Sequence, residues 1–163
     1  MEKEKELLRL LEKNGRMPAE KIGRLLEMDR QAVEEMLADL EKRNVILGYS
    51  AVVDWTKADV PEGVTAMIDV KVQPKRGTGF DETAERIYRF KEVKALYLMS
   101  GTYDLSVVIE GATMTEVGQF VSEKLSTLDS VLSTTTHFQL KRYKHDGVVF
   151  GDKEDDHRMV VSP

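Results

Sequence analysis

The segment Val93 to Gly111, VKALYLMSGTYDLSVVIEG, restricts the fold of this chain more than any other stretch. Val93, Ala95, Tyr97 and Met99 alternate with Lys94, Leu96, Leu98 and Ser100, and after Gly101-Thr102-Tyr103 the alternation resumes with Leu105, Val107 and Ile109. Period-two patterning on both sides of a glycine predicts two strands meeting at a tight turn. Such a hairpin cannot stand alone in water, so other elements must cover one of its faces. Upstream, Val64 to Gln73 sets Val64, Ala66, Ile68, Val70 and Val72 on one face of a strand, and a helix is expected from Asp81 to Lys91. Downstream, Val117, Phe120, Val121, Leu125 and Leu128 fall at helical spacing within Thr113 to Leu128, and Ser130 to Arg142 reads as a last strand. The order βαββαβ predicts an α+β fold: a ferredoxin-like sheet with both helices on one face and the other face free to meet another subunit.

The 163 residues are 41% hydrophobic and 33% charged, ordinary values for a soluble globular protein of one or two domains. The chain has no cysteine, which removes disulfides, thiolate metal sites and cysteine nucleophiles. MEKEKELLRLLEK lacks the apolar core of a signal peptide, and no apolar run approaches membrane-spanning length. A cytoplasmic protein without a membrane partner is expected. The net charge of −5 argues against a protein that coats nucleic acid, but it allows a small basic patch. His137, His145 and His157 show no HExxH spacing, and no G-x-S-x-G, phosphate-loop or dinucleotide motif occurs. No catalytic residue, metal or cofactor is expected. His145 with Asp152, Glu154, Asp155, Asp156 and His157 has the chemistry to hold a cation, and a solvated tail explains the same residues.

Residues 1 to 50 read as three short helices. Leu7, Leu8 and Leu11 form a first stripe that stops at Asn14-Gly15. Pro18 suits the first turn of a second helix that buries Ile22, Leu25 and Leu26. After a turn at Glu27 and Met28, Asp29 is placed to N-cap a third helix with Val33, Met36, Leu37 and Leu40 on one face. Two helices joined by so short a turn, behind a preceding helix, form the helix-turn-helix pattern, although a plain three-helix packing module would show it too. Val45 to Tyr49 reads as a glycine-interrupted strand able to form a wing.

Taken together, NGR at 14–16, LEKRNVILGYSAVVD at 40–54, GTYD at 101–104 and VLSTTTHFQLKRYK at 131–144 resemble the leucine-responsive regulator (Lrp/AsnC) family of transcription factors. The resemblance runs to Lys144. It implies a winged helix-turn-helix DNA-binding domain over 1–54, a linker over 55–63, and a ferredoxin-like effector-binding and oligomerisation domain over 64–146. A tail over 147–163 follows. The implied partners are double-stranded DNA, a small effector such as an amino acid, and further copies of the chain in a dimer or octamer.

Within that frame Gly101, Thr102, Tyr103 and Asp104, with Thr134 and Thr136 on the last strand, are carried over as effector-binding candidates. Glycine allows a ligand close to the backbone, nearby N–H groups can receive a carboxylate, and Asp104 can receive an ammonium. A turn-forming glycine, a locally bonded aspartate and strand-favouring threonines explain the same residues. For DNA the candidates are Arg30 and Gln31 at the start of the third helix, with Arg16, Lys21 and Arg24 on backbone phosphates. Ordinary solvated charges are the alternative reading of each.

One feature departs from the family pattern. Where basic residues are usual on the third helix, this chain has Glu34, Glu35 and Asp39, and residues 30–43 hold three basic against four acidic side chains. Phosphate neutralisation supplies much of the affinity for DNA, so a small-molecule sensor with weak or no DNA binding stands as an alternative. A sirohaem decarboxylase-like enzyme using His137 is a more distant one. Lys75 and Arg76 offer a small basic turn, and Trp55 is expected at a domain or dimer junction. The apolar Val148, Val149, Phe150, Val160 and Val161 predict that part of the tail docks on its own or a neighbouring subunit.

Overall fold

The computed structural model describes residues 2–74, 76–77 and 79–151. They fall into two compact units, Met1–Val53 and Asp54–Pro163.

The first unit consists of α1 (Glu2–Lys13), α2 (Ala19–Leu26) and α3 (Arg30–Lys42). Leu7, Ile22, Leu26, Val33 and Leu40 are buried together, with Leu11, Met36 and Leu37 packed around them. Leu25, expected inside, is 55% exposed, because its neighbours Ile22 and Leu26 take the inward positions on so short a helix. The turn between α2 and α3 depends on local backbone geometry. Glu27 adopts a left-handed conformation and Met28 N–H donates to Gly23 O at 2.8 Å, which brings the chain hard against Gly23. A Cβ at Gly23 would lie 2.5 Å from Met28 O, so only glycine fits there. Asp29 then caps α3 by accepting from Ala32 N–H at 2.8 Å, as its position in the sequence predicts.

The expected strand at 45–49 does not form. Val45 and Ile46 donate their N–H groups back to Leu40 O, and no strand lies within the described part of this unit to pair with them. A lone extended segment has no ladder to join. The helix-turn-helix is therefore present without a wing strand.

The second unit opens with a 3₁₀ turn at Trp55–Lys57 and continues as β1 (Val64–Val72), α4 (Asp81–Tyr88), β2 (Val93–Leu98) and β3 (Leu105–Gly111). It ends with α5 (Met114–Phe120), a π-helical turn over Val121–Leu125, β4 (Val131–Phe138), and a hairpin of β5 (Lys144–His145) and β6 (Val148–Val149). The main sheet is antiparallel in the order β2-β3-β1-β4. Ala66, Ile68 and Val70 of β1 and Leu105, Val107 and Ile109 of β3 are buried against Ile87 of α4 and Val117 and Phe120 of α5. Both helices cover this one face, which is the ferredoxin-like arrangement that the element order predicts.

Three details differ from the expected pattern. A register shift between Val93 and Ala95 breaks the alternation of β2, so Val93 and Leu96 pack on the core while Tyr97 stays 56% exposed. The β2–β3 connection is not a tight turn but spans 99–104, closed by Met99 N–H donating to Asp104 O at 2.8 Å. The start of the tail forms the β5–β6 hairpin, held by Phe150 N–H on Tyr143 O at 2.9 Å and by Arg142 over the Phe150 ring. Val149 remains 73% exposed in the single chain, and Val160 and Val161 lie outside the described residues.

Candidate functional site

In the first unit, the cap at Asp29 sets Arg30 and Gln31 in the opening turn of α3, both exposed. Each is bonded one turn along the same helix: Arg30 Nε donates to Glu34 Oε1 at 2.6 Å, and Gln31 Nε2 to Glu35 Oε1 at 2.9 Å. This is the i, i+4 neighbour relation of a helix surface. Of the α2 candidates, Arg24 pairs with Glu20, whereas exposed Lys21 has no ion-pair partner among the described residues. Arg16, before α2, is exposed, and its N–H donates to Asn14 Oδ1 at 3.0 Å. The other two acids of α3 are also engaged: Asp39 accepts from Arg43 Nε, and Glu41 from the Tyr49 hydroxyl. The acidic run that weighs against DNA binding is thus partly neutralised by its own neighbours.

In the second unit, Gly101 has φ of 134°, a left-handed value that favours glycine. Thr102 is exposed, and Tyr103 and Asp104 are half-buried. The carbonyl of Asp104 closes its own loop, but its other groups reach across to β1: Oδ2 accepts from Val72 N–H at 2.8 Å, and its N–H donates to Val70 O at 3.0 Å. One carboxylate oxygen is thereby committed to structure. Thr134 and Thr136 pair with Val70 and Ile68 and so share the helix-covered face, half-buried on the edge strand. The loop and these threonines flank β1 on opposite sides, roughly 10 Å apart at two strand spacings. A single chain does not bring the two halves of the effector set together.

Beside the hairpin, α4 and β2 line an open pocket of about 390 Å³ bordered by Phe80, Asp81, Tyr88, Lys94, Leu98 and Leu105, among others. Sequence reasoning missed it, because the β2 bulge that shapes its wall has no signature in residue type. Its nearest signal is Leu98 and Leu105, the two ends of the predicted turn.

The other singled-out residues have plainer settings. His137 lies on the open face of the sheet, its Nε2 2.9 Å from Asp69 Oδ2. Trp55 is 49% exposed in its unit, and Arg76 is exposed, while Lys75 and the acidic run from Asp152 to His157 lie outside the described residues. Among the described residues, no group of three His, Asp or Glu side chains can hold a metal ion, and no helix is long and apolar enough to cross a membrane.

Comparison with known proteins gives a consistent result. Residues 65–149 match the family model of the Lrp/AsnC ligand binding domain. The chain is 61% identical over 162 residues to the HTH-type transcriptional regulator YugG of Bacillus subtilis, covering 99% of this chain and 98% of that one. It is 27% identical to the HTH-type transcriptional regulator LrpA of Pyrococcus abyssi, covering 88% and 98%. Among solved structures, it shares its fold with the transcriptional regulator NMB0573 of Neisseria meningitidis, crystallised with L-Met: TM-score 0.70, 21% identity, 89% of this chain and 92% of that one. Escherichia coli AsnC gives a TM-score of 0.65 at 15% identity over 89% and 95%.

Proposed function

This chain belongs to the Lrp/AsnC family of transcription regulators, and from that premise we propose that it binds operator DNA through α2 and α3 under the control of an amino-acid-like effector. The observation that carries the reading is one chain holding both parts: a capped helix-turn-helix with Arg30 and Gln31 at its exposed start, and the ligand-binding domain of the family. In a helix-turn-helix the first residues of the second helix reach base edges, while Arg16, Lys21 and Arg24 are suited to the phosphate backbone.

The effector is bound around Gly101 to Asp104. N–H groups of the loop receive its carboxylate, the open oxygen of Asp104 receives its ammonium, and the adjacent pocket, walled by apolar side chains together with Asp81 and Lys94, takes its side chain. Thr134 and Thr136 complete the site when supplied by another copy of the chain, since one chain holds them apart. A neighbour of the same fold was crystallised with L-Met, which makes methionine the first effector to test. The protein works in the cytoplasm as a dimer or larger assembly through the open face of its sheet. It carries out no catalysis of its own.

The test is selection of genomic fragments by the full-length protein, with and without an L-amino-acid mixture. Enrichment of a discrete operator, altered by one amino acid, is expected. A change of assembly with amino acid but no enrichment at low salt favours the sensor without DNA, to which the acidic α3 points.

A further inference from the structure

The arginines of the first unit differ in how their guanidinium groups are used. Arg43 spends Nε on Asp39 at 2.7 Å and Nη2 on Glu4 at 3.0 Å, a cross-tie from the end of α3 to α1. Arg24 is engaged through Nη2 by Glu20. Arg30 alone of these three is held only by Nε, on Glu34 Oε1, and its Nη groups meet no partner among the described residues. It is also among the most exposed, with its side chain 72% accessible and that of Glu34 49%.

We propose that Glu34 is a positioning residue for base reading: by holding Nε it presents the two Nη groups of Arg30 as a fork to O6 and N7 of a guanine. The inference rests on the DNA-binding function proposed above. Guanine is the base whose major-groove edge offers two adjacent acceptors, and a planar guanidinium matches them in bidentate fashion. Arginine loses side-chain freedom when it binds, and a side chain already fixed in the free protein loses less. The Glu34 carboxylate is meanwhile neutralised by the residue it holds, so it repels phosphates less than its formal charge suggests. Its hydrogen bond and charge push the Arg30 pKa up, with a further contribution from the Glu20 carboxylate, although a guanidinium is cationic in any case. Glu35 holds Gln31 in the same way, but a glutamine amide presents one donor and one acceptor and does not single out guanine.

The experiment selects binding sites from a random duplex library with full-length wild-type protein, Arg30→Ala, Glu34→Ala and Glu34→Gln. It also measures the affinity of each for an unselected duplex. Wild type is expected to require guanine at one or more positions, and Arg30→Ala to lose that requirement. Glu34→Ala should weaken the guanine preference about tenfold, within the range of one bidentate base contact, while binding unselected duplex more tightly. Glu34→Gln, whose amide oxygen still accepts from Nε, should retain most of the preference. If Glu34→Ala keeps the full preference that Arg30→Ala loses, or if Glu34→Gln fails as badly as Glu34→Ala, the positioning role is overturned and the DNA-binding function stands. Should wild type select no sequence, the DNA-binding function fails and the positioning role with it.

Discussion

Asp104 ties the β2–β3 loop to the neighbouring strand, its Oδ2 accepting from Val72 N–H at 2.8 Å. Val72 is the last residue of β1 and is 3% exposed, at the point where the register between β1 and β4 shifts. The side chain of Asp104 therefore satisfies a backbone donor that the main-chain ladder of β3 does not reach.

Asp104→Ala should leave that N–H unpaired and cost about 1–3 kcal/mol, the usual range for a buried donor without a partner. Asp104→Asn keeps an acceptor in place and should lose less. It should nevertheless bind an amino-acid effector more weakly, since it has no charge for the ammonium. Urea unfolding and calorimetric titration of the two variants separate the effects. Equal effector binding by Asn and wild type removes Asp104 from the effector site.

Gly23→Ala places a Cβ 2.5 Å from Met28 O in the turn between α2 and α3. Overpacking of this kind costs about 1–3 kcal/mol, and here it should displace α3. Thermal unfolding followed by circular dichroism is expected to show destabilised helix with DNA binding lost. Fluorescence of Trp55, which lies in the other unit, should report an unchanged transition.

Glu92 is hydrogen-bonded through Oε1 to Lys124 Nζ, whose ammonium lies 5.7 Å from the Phe90 ring centroid and 5.9 Å from that of Phe120. The hydrogen bond from Lys124 is the main cause holding the Glu92 carboxyl below its ordinary value of 4.5, against the opposing effect of burial. A carboxylate with a depressed native pKa adds stability above its unfolded pKa and loses it as pH falls through the native value. Glu92→Gln should accordingly be less stable than wild type at neutral pH. The difference should begin to close below about pH 4.5, the unfolded value. Chemical denaturation across pH 7 to 3 checks this, and a constant difference would mean that the pair carries no linkage.

Met67 stands on the open face of the sheet, 45% exposed, with Val108 paired beside it and Tyr97 on the same face. Met67→Glu puts a charge where a second copy is proposed to pack. Light scattering of the full chain is expected to shift from dimer or larger to monomer, and an unchanged mass would place the subunit contact elsewhere.

Much of the fold is legible in residue pattern because the relevant forces act over a few residues. The alternation Ala66, Ile68, Val70, Val72 fixes the buried face of β1, and the spacing of Val33 and Leu40 fixes that of α3. Asp29 before a helical stripe is enough to mark a cap. The pair Arg30–Glu34 is likewise a matter of spacing along one helix. Legibility fails where an outcome depends on a distant partner. Val45 to Tyr49 has strand-like residues but no strand to pair with, and β2 changes face at a bulge set by its register against β3.

By itself, then, the sequence determined the order βαββαβ, the inward faces of β1, β3 and α3, the helix-turn-helix and where the candidate residues lie along the elements, since periodicity and capping are local properties of the chain. Only the tertiary structure decided how those residues are used. It committed one oxygen of Asp104 to Val72, set β1 between the loop and Thr134, and left the Nη groups of Arg30 open while closing Arg43 on two carboxylates. A hydrogen bond across 32 residues, as from Val72 to Asp104, exists only once both segments are in place, and nothing in the type of either residue specifies the other.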